Sequence, residues 1–302
     1  MTPIDHYLWF LHLDRRMPLN IDLGPLHVHV YSRAVFLMWV TVAILAVAGI
    51  AVLISRKPEL VQKWRTWALI APAVGIPVWI GLGTTAALAA VLAVVAVIEY
   101  ARLVKLGRAD TYVLLALAVA YPLAAWLRPS LLQFAPLVVL LCALPSVLDG
   151  DVENGAKRTA FTAFGSIWIC WALSHLVMVY PDAYLLCFAV AATDVAAWCG
   201  GKGLRRMRWA RRAVSPLSPN KTIGGVVGAV VGAFLILTLL GTISVGLLIA
   251  VSIGGLFGDL LESMLKRQAQ VKDAGDWLPG FGGLLDRIDS LLVVLPLAYF
   301  LG

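Results

Sequence analysis

The sequence predicts an all-α integral membrane protein of about ten transmembrane helices, on three observations. Of its 302 residues, 61% are hydrophobic and only 14% charged, far from the composition of a soluble domain. Apolar runs of roughly 16 to 24 residues fall near 34–55, 66–82, 84–101, 111–127, 130–148, 160–180, 183–199, 223–241, 243–262 and 288–301, lengths suited to a hydrocarbon layer about 30 Å thick. With the amino terminus outside, the inner loops hold 20 of the 24 Lys and Arg, and the outer side only Arg15, Arg16, Arg33 and Arg128. That asymmetry predicts both termini outside a cell (inner) membrane and the polar loops in the cytoplasm.

Residues 1–33 read as a non-cytoplasmic segment. HYLWFLHLDRR has the look of an amphipathic surface piece, and the pair His27 and His29 lacks a third ligand nearby. The first run, from Ala34, is long enough to be a retained span rather than a cleaved signal. Residues 34–180 are expected to be scaffold: the stretch GLGTT at 81–85 leaves the boundary between the second and third helices soft. Glu99, near the inner end of the third helix, is expected to find a structural partner, and His175 to be a hydrogen-bonded packing residue. Cys142, Cys170, Cys187 and Cys199 contain no CxxC pair and read as buried packing residues.

The region 181–302 differs, because polar groups enter its helices and all lie toward the inner side. Asp194 falls about five residues from the inner end of the seventh run, where an ionised carboxylate costs several kcal/mol unless paired or ligated. Asp259, Glu262 and Ser263 share one helical face by their i, i+3, i+4 spacing. The cytoplasmic loop 263–287 carries Lys266, Arg267, Lys272 and Asp273. Pro279, Gly280, Gly282 and Gly283 then make a turn before Asp286, Arg287 and Asp289. Crowded carboxylates with no local His or Cys point to a hard divalent ion, with Mg²⁺ foremost. In loop 200–222 the basic run GGKGLRRMRWARR precedes SPNKT, where Ser218, Asn220, Lys221 and Thr222 lead into a glycine-rich helix start suited to phosphate. The net charge of +7 is therefore a charge of the inner face. It suits anionic lipid headgroups or phosphates, and without a soluble basic domain it does not suggest nucleic acid.

The stretch from Ser263 to Asp289, with KR at 266–267, KD at 272–273, PGFGG at 279–283 and DRID at 286–289, resembles the signature of phosphatidate cytidylyltransferases, also called CDP-diacylglycerol synthases. SPNKT at 218–222 and DVAAWCGGK from Asp194 are similar to two further family motifs. The resemblance covers roughly residues 190–302. It implies the reaction of CTP with phosphatidate to give CDP-diacylglycerol and pyrophosphate, with Mg²⁺ required and a homodimer as the family-level expectation. By the resemblance, Asp259 and Asp286, with Asp289, are the metal-binding carboxylates. Lys221, Lys272, Asp273 and Arg287 join them in catalysis, while Ser218, Asn220, Thr222, Asp194, Lys266, Arg267, Phe281, Gly282 and Gly283 hold substrate. The sequence departs from the family at two positions: Phe281 stands where the family has His, and Gly224 where an acidic or amide residue is usual. Alternatives stay open: CTP-dependent activation of another lipid phosphate or a CTP-dependent lipid kinase, a relative that binds nucleotide or lipid without turnover, and a transporter or channel with Asp194 and Asp259 on an ion path.

Overall fold

The computed structural model describes residues 18–23, 26–55, 57–275 and 282–302. It opens with an antiparallel hairpin of β1 (Pro18–Leu23) and β2 (Leu26–Tyr31), in whose register Asp22 faces His27 and Asn20 faces His29. The helices follow as α1 (Ser32–Ser55), α2 (Pro58–Ile80), α3 (Leu82–Leu103), α4 (Arg108–Leu127), α5 (Pro129–Leu148), α6 (Gly155–Met178), α7 (Ala183–Gly203), α8 (Ile223–Leu239), α9 (Val245–Gln268), α10 (Leu285–Ile288) and α11 (Leu291–Leu301).

Every apolar run of the sequence falls in these helices, but among the described residues seven helices, not ten, are long and apolar enough to cross a membrane. The three shortfalls have physical causes. Helix α2 starts early, and Glu59, Gln62, Lys63 and Arg65 make its first turns polar. Helix α8 has 17 residues, about 26 Å at 1.5 Å per residue, slightly short of the hydrocarbon thickness. The last run is divided at Asp289 and Ser290, leaving α11 with 11 residues. The break between α2 and α3 is real: the Thr84 and Thr85 hydroxyls both donate to the Gly81 carbonyl, and Thr84 also to that of Pro77.

Helices α3, α4 and α6 form the scaffold core. Ala86, Ala89, Ala93, Ala96, Val97 and Tyr100 recur at helical spacing along the buried face of α3. Gly165 of α6 leaves room for the Tyr100 ring, which a Cβ there would meet at 2.7 Å, and the Tyr100 hydroxyl donates to the Phe161 carbonyl at 2.8 Å. Arg158 at the start of α6 binds Asp110 at the start of α4 together with Asp149 and Asp151, all at 2.8–2.9 Å. His175 is buried as expected, its Nδ1 2.9 Å from the Trp171 carbonyl. Cys142 and Cys170 are buried, Cys187 is partly so, and Cys199 is exposed. That corrects the expectation for Cys199, which shares the outward face of α7 with Trp198, where an apolar environment is required but core packing is not.

Two glycine faces bring the polar segments together. Ala196, Gly200 and Gly201 of α7 lie against Gly224, Gly225, Gly228 and Gly232 of α8; a Cβ on Gly200 would stand 2.6 Å from the Gly224 carbonyl oxygen, and one on Gly228 would overlap that of Ala196. Small residues four apart let two backbones meet in this way. On α9, Gly254, Gly255 and Gly258 seat the start of the last helix: a Cβ on Gly258 would strike the Asp289 carbonyl, and the Ser290 hydroxyl donates to the Gly255 carbonyl at 3.3 Å.

Gly228→Leu should therefore force α7 and α8 apart and lower stability by at least about 2 kcal/mol, the scale of overpacking in a close contact. Thermal unfolding in detergent measures it. Stability equal to that of the unaltered protein would mean that the contact is not close.

Candidate active site

The candidate site forms where the C-terminal halves of α7 and α9, the segment entering α8, and α10 converge. Loop 204–222 doubles back on itself: Val214 N–H donates to Lys221 O at 2.8 Å, Ile223 N–H to Arg212 O at 3.0 Å and Gly224 N–H to Ala210 O at 3.0 Å. Thr222 caps α8, its hydroxyl oxygen accepting from Gly225 N–H at 3.2 Å. This is a helix-capping role for a residue expected to hold phosphate. Gly224 is buried against Ala210 and Gly200, with under 3.4 Å to spare for a Cβ. Close approach accounts for glycine at this departure from the family pattern.

Lys221 pairs with Asp259. Burial pushes the Lys221 pKa below the ordinary lysine value, against the opposing pull of Asp194 and Asp289. Seven residues beyond Asp259 on α9, Lys266 binds Glu262 at 2.5 Å and Asp286 at 2.7 Å. Asp194 on α7 is exposed, within electrostatic reach of Lys221, Asp289 and Arg287. Asp289 is buried, and its own charge interacts with Lys221 and Lys266. Five carboxylates thus surround two lysines. The i, i+3 and i, i+7 spacing puts Asp259, Glu262 and Lys266 on one face of α9, where Asp259 meets Lys221 while Lys266 joins Glu262 to Asp286.

Asp286 does more than face a cation. Its Oδ1 accepts from Lys266, and its Oδ2 accepts from the N–H groups of Ala274 at 2.9 Å and Gly283 at 2.8 Å. Burial pushes its pKa up, but Lys266, Glu262 and the Gly283 N–H outweigh burial and hold it below the ordinary carboxylate value. The chain reverses over it at Gly282, whose φ of +81° favours glycine. Below lies Glu99, whose two carboxylate oxygens accept from Leu284 N–H at 2.9 Å and Leu285 N–H at 2.7 Å. Glu99 is thus a cap on the last helical segment, supplied from α3. A carboxylate in a 22-residue apolar helix was the signal for it, but the partner lies 185 residues away.

The sequence expectations divide. Lys221, Asp259, Lys266, Asp286, Asp289 and Asp194 come together. Glu262, noted on the sequence only for its spacing, belongs with them. Arg267 faces away to the Leu217 carbonyl at 3.3 Å, tying α9 to the loop. Lys272, Asp273, Asn220 and Arg287 are exposed around the cluster, and Ser218 is partly exposed. Phe281 lies outside the described residues. Among the described residues no three carboxylate or imidazole groups converge as a ready-made metal cage. Mg²⁺ does not need one, since it is held by one or two carboxylates with phosphate oxygens and water. The oxygen-only donor set and the buried Glu262 Oε1, which has no hydrogen-bond partner, fit such an ion.

The sequence pattern of the Cytidylyltransferase family matches residues 61–302. The chain belongs to this family. The match reaches back to α2 and so extends the family region well beyond the expected 190–302. The chain is 36% identical over 191 residues to the Escherichia coli (strain K12) protein YnbB, described as uncharacterized, covering 56% of this chain and 62% of that one. It is 32% identical over 188 residues to the phosphatidate cytidylyltransferase of Bacillus subtilis (strain 168), covering 57% and 68%. It is 32% identical over 174 residues to that of Thermotoga maritima, covering 51% and 62%. The aligned part therefore spans about two thirds of each relative.

Glu99→Ala should remove two charge-assisted hydrogen bonds and lower stability by about 2–4 kcal/mol, while Glu99→Gln, which keeps one acceptor oxygen, should lose less. Thermal unfolding of purified protein in detergent is the check. Three equal stabilities would mean that the Leu284 and Leu285 N–H groups find other acceptors at no cost.

Proposed function

We propose that this chain is a CTP-dependent nucleotidyltransferase that converts CTP and phosphatidate, or a related lipid phosphate, to CDP-diacylglycerol, or the related lipid nucleotide, and pyrophosphate. It would work at the cytoplasmic face of a cell membrane. The observation that carries this reading is the cluster of Lys221 and Lys266 among Asp194, Asp259, Glu262, Asp286 and Asp289, with family membership as its context.

The chemistry asks little of a general base. A phosphate monoester has a second pKa of about 6 and is largely dianionic near neutral pH. One of its oxygens attacks the α-phosphorus of CTP, a new P–O bond forms, the bond to the bridging oxygen breaks, and pyrophosphate leaves with its electron pair. The difficulty is bringing polyanions together and stabilising charge on the departing oxygens. Lys221 would supply positive charge from the segment entering α8, with its position set by Asp259 and by the main-chain bonds of loop 204–222. Lys266, anchored by Glu262 and Asp286, would hold the second edge. Asp259 would hold Mg²⁺ together with phosphate oxygens and water, Glu262 and Asp289 would add negative charge from the same cluster, and the ion would supply neutralisation of phosphate charge. Asp286, occupied by Lys266 and two backbone N–H groups, would organise the Gly282–Gly283 turn, whose exposed surroundings carry Lys272, Asp273 and Arg287.

Purified protein incubated with CTP, Mg²⁺ and phosphatidate should form lipid nucleotide and pyrophosphate, EDTA should stop the reaction, and Mg²⁺ should restore it. Asp259→Asn and Lys221→Met should each lower turnover by at least about a hundredfold, the scale of losing one transition-state charge stabiliser. Turnover with another lipid phosphate but not phosphatidate would reassign the substrate, and binding of CTP without turnover of any lipid phosphate would contradict the proposal.

Phe281 cannot donate or accept a proton, and the nucleophile needs none removed. Phe281→His should change the rate by less than about tenfold, or 1.4 kcal/mol. A protein inactive until Phe281 becomes His would show that the family's imidazole is indispensable.

A further inference from the structure

The end of α7 and loop 204–222 also carry an exposed run of basic side chains. Lys202, Arg205, Arg206, Arg208, Arg211 and Arg212 lie within eleven residues, and no acidic residue occurs between Asp194 and Asp259. Arg205, Arg206, Arg208, Arg211 and Arg212 are exposed, and no carboxylate among the described residues pairs with them. Apolar side chains are interleaved and also exposed: Met207 at 48%, Trp209 at 45% and Trp198 at 61%. The Lys202 ammonium sits 4.0 Å from the centre of the Trp198 ring.

A topological anchor needs only the charge. It needs neither interleaved tryptophan and methionine nor an ordered backbone, yet this loop is pinned by Ala210, which is buried, and by the three main-chain bonds that join residues 210–214 to 221–224. Basic residues beside amphipathic rings at the end of a membrane helix match the headgroup layer, where rings enter the acyl boundary and cations meet phosphate.

We propose that residues 202–214 form a docking surface for anionic phospholipid headgroups, distinct from the reacting lipid. Because Val214 N–H donates to the Lys221 carbonyl and Ala213 bridges to Thr222, a headgroup held here steadies the segment that carries Lys221.

The full chain in nanodiscs provides the test, with the contribution of Trp209 isolated by subtracting the emission of Trp209→Phe. Discs contain phosphatidylcholine with either brominated phosphatidylglycerol or brominated phosphatidylcholine as quencher. Phosphatidylglycerol is a phosphodiester and lacks the monoester oxygen that the proposed reaction uses. Quenching should report enrichment of phosphatidylglycerol near Trp209 by about fivefold, the equivalent of roughly 1 kcal/mol, and this enrichment should fade at about 0.5 M salt through screening. The combined variant Arg205→Gln, Arg206→Gln, Arg208→Gln should lose it, while Lys57→Gln, Lys63→Gln, Arg65→Gln, which removes the same net charge elsewhere, should keep it. Equal quenching by both lipids, equal loss in both variants, or equal displacement by millimolar inorganic phosphate would overturn the proposal. The salt titration needs no charge-removing variant, and none of these readings uses enzymatic activity, so failure here is separable from failure of the proposed reaction.

Discussion

Charges drawn into membrane helices must be paired, and the part of this molecule from α7 onward is organised by that requirement. Lys266 is the centre of it. Held by Glu262 one turn back on its own helix and by Asp286 on the next segment, it converts a costly, largely covered cation into the link between α9 and α10. Removing one partner of such a pair leaves an uncompensated charge, which costs about 3–5 kcal/mol in buried settings. Lys221 and Asp259 repeat the device between α9 and the loop before α8. Carboxylates outnumber lysines in the cluster by five to two, and this excess is what the proposed cation and its phosphates would use.

The pairs form only because the backbones come close enough. Glycine at 200, 224 and 228 lets α7 and α8 touch, and glycine at 254, 255 and 258 lets the last helix settle on α9. The turn at 282–283 is built on the same principle: a Cβ on Gly283 would meet both Glu99 oxygens within 2.8 Å. Glu99 in turn fixes where Asp286 begins its helix, so the scaffold half of the chain reaches into the site through one side chain. The family pattern, matching from residue 61 onward, is consistent with a site that draws on both halves.

Much of this was legible in the sequence. Apolar runs located the helices, because burial in lipid demands length and hydrophobicity. The ionisable residues of the second half marked the candidate site, because carboxylates and lysines within membrane helices are costly unless paired or used. Helix count was not legible: polar first turns in α2, the 17-residue α8 and the break at Asp289 depend on packing rather than composition. Partner choice was equally hidden. Spacing placed Asp259, Glu262 and Lys266 on one helix, but which of them meets Asp286 depends on the glycine contacts that set the depth of α10 against α9. Thr222 read as a phosphate ligand because hydroxyls serve caps and phosphates alike.

The Lys266–Asp286 bridge holds the candidate site together across α9 and α10. A double-mutant cycle with Lys266→Met and Asp286→Asn, read by thermal unfolding in detergent, measures it directly. The account predicts strong coupling of at least about 1.5 kcal/mol, with the double variant little worse than the worse single one. Strictly additive losses would contradict it.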